Sequence, residues 1–312
     1  MKSADQMYPH IPVLNREVLA YLKPIRDGKY LDATLGAGGH AEAILAASQP
    51  TGLLLGLDID QNAVIIAEER LQKFSSRVTI FNVSYIEMQD CLRKMDWSCV
   101  DGILFDLGVS SMQVDAADRG FSFNKEGPLD MRFNDHSDFR AYDLINNWSE
   151  EEISSILWNY GEEPKARAIA KAICIARPIK TTTQLAQVVL SAYHGSHSKI
   201  HPATRTFQAV RIAVNQELTV LEEGISLGIK QLCAGGMIAV ISFHSLEDRI
   251  VKEIFKRESK DCICPPEQPV CTCDHKASLK ILTKKPATAS DEEIRINPRS
   301  RSAKLRVAQK IG

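Results

Sequence analysis

Long hydrophobic runs are missing from this chain of 312 residues. No window reaches the roughly 18 uncharged apolar residues that a membrane helix needs, and the N-terminal MKSADQMYPHIP lacks the apolar stretch of a secretory leader. A cytoplasmic protein with no membrane partner is expected. Cysteine is sparse too: eight residues are too few for a disulfide framework at this length, so the thiols are read as reduced, with Cys91, Cys99, Cys174 and Cys233 in apolar surroundings as core residues. Internal repeats and low-complexity tracts are absent, and so is any large excess of charge, the net being −1 with 44% hydrophobic and 25% charged residues. That composition excludes disorder and describes an ordinary globular protein, long enough for one large domain or for one domain carrying an insertion.

Charge is unevenly spread. Residues 276–312 hold ten Lys/Arg and three Asp/Glu, +7, which leaves −8 for residues 1–275. A solvated tail and a polyanion partner both account for such a run.

The first hundred residues alternate short apolar runs with amphipathic segments. Lys29–Ala33, Gly52–Asp58, Arg77–Asn82 and Val100–Asp106 read as strands, and Gly38–Ala47, Gln61–Phe74 and Ser84–Met95 carry apolar residues at helical spacing. Four strands with intervening helices make a parallel α/β sheet with right-handed crossovers. Gly108–Asp138, rich in Gly, Ser, Asp and Pro, reads as loop; a helical tract from Phe139 to Leu232 opens on the capping box Ser149-Glu-Glu-Glu152. After Gly235 and Gly236 the sheet resumes at Met237–Phe243, with a helix over Leu246–Arg257 and a last strand over Ser302–Gln309. The expected domains are therefore 1–107 and 233–312, forming one doubly wound sheet, and a helical insertion, 108–232, for substrate recognition.

The turn YLDATLGAGGHAEAI fits the phosphate-binding pattern G-x-G-x-x-G/A at Gly36, Gly38 and Ala41. No G-x-x-x-x-G-K-[ST] is present, which excludes a P-loop. Asp32, at the end of the first strand, would stand close to a pyrophosphate and repel it by a few kcal/mol at an effective dielectric of about 20. An ammonium there would be attracted, so the amino-acid half of S-adenosylmethionine matches better than NAD. Asp58, ending the second strand, suits a ribose diol in either ligand.

Ligands of open α/β sheets sit beyond the carboxyl ends of the strands. Asp106-Leu-Gly-Val-Ser-Ser111 begins there, and Asp106 either caps a turn or accepts hydrogen bonds from a reacting group. Phe121 and Phe123 in RGFSF are read as anchors onto a core ahead of stacking partners for an extruded base. Arg205 and Arg211 in HPATRTFQAVR stand either as phosphate contacts or as a solvated helix face. His244, after the fifth strand, is a base or a hydrogen-bonded structural residue. Cys262-x-Cys264 and Cys271-x-Cys273 offer four soft ligands, but C-x-C is not the usual spacing of structural zinc; free thiols in a mobile loop are expected and no metal is assigned.

Together GAGGH, DLGVSS, RGFSF, GPLDMR, HPATRTFQAVRI and SFHSLEDR resemble the RsmH (MraW) family, bacterial 16S rRNA cytosine-N4 methyltransferases, over about residues 9–257. The resemblance implies a Rossmann-like class I methyltransferase fold with a helical insertion. It implies S-adenosylmethionine contacts by Gly38, Gly39 and His40, by Asp58 on the ribose, by Tyr85 near the adenine where similar proteins have Phe, and by Asp106 and Gln113. The implied acceptor is the exocyclic amine of a cytidine in the decoding region of 16S rRNA, within an assembled or nearly assembled small ribosomal subunit, and a homodimer is compatible with it. Asp106, assisted by the carbonyls of Leu107 or Gly108, is the expected catalytic acceptor of the amine hydrogens; the Pro-Pro-aromatic motif of many amino methyltransferases is replaced here by Leu-Gly-Val.

Overall fold

The central strands form in short stretches rich in apolar residues. In the computed structural model, which describes residues 12–193, 201–265, 267–268 and 270–312, α1 (Asn15–Leu22) leads into β1 (Lys29–Asp32), α2 (Gly39–Ala47), β2 (Leu53–Leu57), α3 (Gln61–Leu71), β3 (Val78–Phe81), α4 (Met88–Lys94) and β4 (Val100–Asp106). Successive side chains of a strand point to opposite faces. Ile103 and Phe105 of β4 therefore enter one core with Leu31, Leu55 and Leu57, while Leu104 enters another with Tyr30 and Leu54. Met88, Cys91 and Leu92 of α4 line the first core; Val18, Ile44 and Leu71 of α1, α2 and α3 line the second. Each fully buried large side chain stabilises this arrangement by about 1.5–3 kcal/mol relative to exposure.

Six helices follow: α5 (Ser111–Asp115), α6 (Ala141–Asn147), α7 (Glu150–Gly161), α8 (Ala166–Ala176), α9 (Thr182–Ala192) and α10 (Ala203–Asn215). Residues 194–200 of the expected helical tract lie outside the described residues. The chain then returns through α11 (Glu217–Gln231), β5 (Leu232–Ser242), α12 (Ser245–Glu258), β6 (Leu279–Ile281), α13 (Asp291–Ile296) and β7 (Lys304–Lys310).

The strand order is β3-β2-β1-β4-β5-β7-β6. From β3 to β5 the ladder is parallel, and β7 runs antiparallel to both β5 and β6. This is the expected Rossmann-like α/β sheet, helices on both faces. The order reverses between β1 and β4, and the register Asp32↔Leu104 with Asp106↔Ile241 brings the last residues of both strands to one edge. A ligand of such a sheet binds at that reversal.

By its internal contacts the chain divides into Met1–Gly108 with Val220–Gly312, and Val109–Thr219. The helical unit thus ends before residue 232, because Leu221, Ile225 and Ile229 of α11 pack into a sheet core. Within it α7 packs on α8 and α10, and α8 on α9, around a core that includes Leu144, Ile153, Leu157, Ile169, Val189 and Val210. The capping box expected at Ser149 is present: its hydroxyl accepts from Glu152 N at 3.2 Å, and Glu152 Oε2 accepts from Ser149 N at 2.8 Å.

Other expectations are corrected. Cys99 and Cys233 are joined by a disulfide, so not all thiols are reduced. Cys99 precedes β4 and Cys233 is the second residue of β5, beside the pair Val100 and Leu232; this proximity spans 134 residues of sequence, beyond any local pattern. These two are half-buried, Cys91 is buried in a sheet core, and half-buried Cys174 packs against the core of the helical unit. β5 starts at Leu232 rather than Met237: Gly235 and Gly236 lie within a strand that shifts register against β4, not in a turn before it. The stretch 108–138 is not all loop, since Ser110 and Gln113 form a capping box that starts α5.

Candidate functional site

β1 ends on Asp32, which is 1% exposed. Two residues later Thr34 ties two strand ends together, its N–H donating to Asp32 Oδ1 (3.2 Å) and its Oγ1 accepting from Asp106 N (2.6 Å). The glycine turn then closes on the second strand: Asp58 Oδ2 accepts from Gly36 N (2.7 Å) and Asp58 Oδ1 from Asp60 N (2.9 Å). Asn82, past β3, donates through Nδ2 to the Asp58 carbonyl at 2.8 Å. Gly38 precedes α2 with φ +75, a left-handed conformation, and a Cβ there would also press on Leu71 and Ala67. Only glycine takes that place without strain. No side chain caps α2, so its first N–H groups face outward as an anion-binding terminus.

His40, in the first turn of α2, is 5% exposed, and its Nε2 lies 3.5 Å from Asp106 Oδ2. Among the described residues, neither ring nitrogen of His40 has a hydrogen-bond partner, nor does Asp32 Oδ2 or Asp106 Oδ1. Burial lifts the Asp32 carboxyl to about 7; His40 and the Thr34 N–H oppose that rise, while Asp106 and Asp58 reinforce it. Asp58, which keeps some exposure, is lifted to about 6, again by burial and against the N–H groups of Asp60 and Gly36. A buried polar atom left without a partner costs about 1–3 kcal/mol. The edge therefore holds acceptors in excess of donors, and a ligand carrying an ammonium and hydroxyl groups would satisfy it, whereas a pyrophosphate would face three carboxyl groups.

Tyr85 starts a 3-10 turn after β3 that Ser84 and Glu87 close as a capping box. Its half-buried ring stands edge-on to Phe105, centroids 5.4 Å apart, and lies against Gly224 of α11, where a Cβ would come within 2.4 Å of the ring. The absent side chain at 224 fixes the place of the aromatic. Gly38, Gly39, His40, Asp58, Tyr85 and Asp106 thus all belong to the sheet unit, at or just after the ends of its strands. Gln113 belongs to the helical unit, where its Oε1 accepts from Ser110 N at 3.0 Å.

The remaining sequence motifs resolve into scaffold. Phe121 stacks on Phe133 (5.5 Å), and Phe123 on His201 (4.5 Å) and edge-on to Phe207 (5.0 Å), so both are anchors. Arg211 is withdrawn from the phosphate-contact reading: it forms a bidentate pair with Glu217 at 2.7 and 2.8 Å. Arg205 is exposed and donates to the Glu162 carbonyl at 3.1 Å. His244 caps α12, its ring accepting from Glu247 N at 3.4 Å and lying 3.2 Å from Glu247 Oε1, which is the structural role. Part of the basic C-terminal excess is internal as well, since Arg306 of β7 is 8% exposed and chelates Asp248 at 2.6 and 3.2 Å. Sequence reasoning missed Thr34 and Asn82; their only signal is position, two residues past β1 and one past β3.

A family model described as the MraW methylase family matches residues 7–311. The ribosomal RNA small subunit methyltransferase H of Dehalococcoides mccartyi is 53% identical over 304 residues, covering 97% of this chain and 87% of that one. Its counterpart in Halothermothrix orenii is 48% identical over 310 residues, covering 98% and 99%. Among solved structures, an rRNA methylase from Streptococcus thermophilus aligns with a TM-score of 0.42 at 10% identity over 96% of this chain and 95% of that one, a likeness too distant to carry an argument.

Proposed function

The chain belongs to the MraW methylase family, and from that premise we propose that it is an S-adenosylmethionine-dependent methyltransferase. Its acceptor in this reading is the exocyclic N4 amine of a cytidine in the decoding region of 16S rRNA, presented on the small ribosomal subunit in the cytoplasm. Among the described residues, no helix is long and apolar enough to cross a membrane. The observation that supports the cofactor most directly is the set of buried, unpartnered atoms at one sheet edge: Asp32 Oδ2, Asp106 Oδ1 and both nitrogens of His40. They fit a ligand that brings an ammonium and polar donors.

S-adenosylmethionine supplies a methyl group already activated by its sulfonium sulfur. The chain's own residues bind, orient and polarise. Asp32 would offer its carboxylate to the ammonium, the N–H groups from Gly38 to His40 would receive the amino-acid carboxylate, Asp58 would accept from the ribose hydroxyls, and Tyr85 would serve the adenine. The family resemblance alone adds Gln113 to the expected contacts. Fixing both reactants in line removes most of the entropic part of the barrier.

Cytosine N4 is a weak nucleophile because its lone pair is delocalised into the ring. Asp106 accepts one of its N–H hydrogens, which localises that pair and offsets the positive charge that grows on nitrogen as the bond forms. Thr34 holds the Asp106 backbone, so the carboxylate is aimed before the acceptor arrives. The test supplies labelled methyl donor to small subunits from cells lacking the enzyme and maps the product by mass spectrometry. Label on N4 of one cytidine is expected; label on a base carbon, a ribose or a protein overturns the reading. A dinucleotide-dependent oxidoreductase, the other user of a glycine turn, predicts thermal stabilisation by NAD rather than by S-adenosylhomocysteine.

A further inference from the structure

Between α12 and β6 the chain makes an excursion, residues 259–278, in which no described residue is buried. Ile263 is 45% and Val270 69% exposed. A segment this short has no core to fix its shape, and small units without a core are held by cross-links or metals. The base of this one is tied: Ser278 N donates to the Glu258 carbonyl at 2.8 Å, the Ser278 hydroxyl to Glu258 Oε2 at 2.9 Å, and His275 Nε2 meets the Arg257 carbonyl at 3.1 Å. Those bonds hold the ends and leave the tip unaccounted for.

The tip carries Cys262, Cys264, Cys271 and Cys273. The middle residue of each C-x-C step donates its N–H to the last cysteine of the other, Ile263 N to Cys273 Sγ at 3.4 Å and Thr272 N to Cys264 Sγ at 3.5 Å. This reciprocal pairing turns the two steps toward each other and compensates for their short spacing, so that all four sulfurs lie within 4.8 Å of one another. Cys262 and Cys271 are 3.5 Å apart, Cys271 and Cys273 3.5 Å, and Cys262 and Cys273 3.8 Å. Disulfides join sulfurs two by two at about 2 Å and cannot produce a triangle of equal contacts. Four sulfurs bonded to one tetrahedral ion at about 2.3 Å stand about 3.8 Å from each other. N–H groups directed at the sulfurs are what thiolate ligands receive from the surrounding backbone.

We propose that Cys262, Cys264, Cys271 and Cys273 form a structural zinc site that fixes the excursion between α12 and β6. Soft thiolates select zinc over magnesium or calcium, and four protein ligands leave no open position, so the ion holds shape and performs no chemistry. His275 is engaged by a main-chain carbonyl and is not a ligand. Binding releases the four thiol protons to solvent as the four Zn–S bonds form. The proposal stands apart from the methyl-transfer reading.

The test uses the full chain, purified under reducing conditions without added metal. Elemental analysis is expected to find one zinc per chain, and X-ray absorption four sulfur neighbours at about 2.3 Å. Cobalt exchanged into the protein gives the intense visible absorption of a tetrahedral thiolate site. Cys262→Ser with Cys271→Ser loses the metal, and Cys174→Ser keeps it. Hydrogen exchange then quickens across 259–278 while β1 to β5 are unchanged; should the double variant not fold, chelation of the wild-type protein followed by zinc readdition gives the same reversible readout. Iron in place of zinc, substoichiometric metal, two disulfides by mass spectrometry, or four thiols that titrate alike with and without chelator would each overturn the assignment.

Discussion

In the helical unit, arginines find partners inside the fold: Arg119 donates to the carbonyls of Arg132 and Phe133, Arg132 grips Asp130 with two bonds, Arg177 donates to the carbonyls of Ile145 and Trp148, and Arg211 grips Glu217. At the strand ends of the sheet unit the pattern is opposite. Asp32 and His40 are buried and Asp106 is half-buried, and among the described residues each keeps an atom with no hydrogen-bond partner. What marks the strand ends is the gathering of several such atoms at the one edge where a ligand of this kind of sheet binds; single ones, such as His244 Nε2, also occur in the scaffold. The contrast separates the two kinds of polar motif better than residue type does, because both regions contain arginines, aspartates and glycine turns.

The largest effect that would sharpen the contrast is at Asp106. Asp106→Asn is expected to slow single-turnover methyl transfer roughly a hundred- to a thousandfold, while calorimetric titration finds a far smaller change in cofactor affinity. An equal loss in both would make Asp106 a cofactor ligand alone. Next is Arg211→Ala, which leaves Glu217 buried without its partner and should destabilise the helical unit by roughly 3 kcal/mol in chemical denaturation, with cofactor affinity unchanged. A neutral outcome would break the claim that this pairing is scaffold.

Smallest is a pH effect. Asp32 titrates near 7 in the free protein, so between about 4 and about 7 the folded state holds a proton that the unfolded state has lost, and its contribution to stability falls as pH rises through that window. Binding of an ammonium requires the carboxylate and so runs the other way. Affinity for S-adenosylhomocysteine should be about tenfold weaker at pH about 6 than on the plateau above 7, and Asp32→Asn should flatten that dependence and bind more weakly throughout. A wild-type profile without slope would remove Asp32 from the cofactor contacts.

The parallel half of the sheet was readable because its strands are buried on both faces: LLLGL and VDGILFD admit few other structures. Apolar residues at helical spacing made α3 equally plain, and Asp60 caps it by accepting from Asn62 N at 2.9 Å. β6 has three residues and α13 six, too few to show a period; α1, with eight, was missed as well. The disulfide and the end of the insertion depend on contacts far apart in sequence, which no local pattern encodes. At the candidate site, Gly38 followed from the glycine pattern and Asp58 and Asp106 from strand ends, while Gly39, His40, Tyr85 and Gln113 came from the family resemblance. Thr34 did not, since its role lies in one bond to a strand that is a neighbour only in the folded sheet.

The sheet stops, on the side of its antiparallel hairpin, at a ribbon of three residues. A foreign segment that sought to extend the ladder there would find hardly any main chain to zip onto. Growth of fibres through that rim is thereby starved at its first step, however crowded the surroundings.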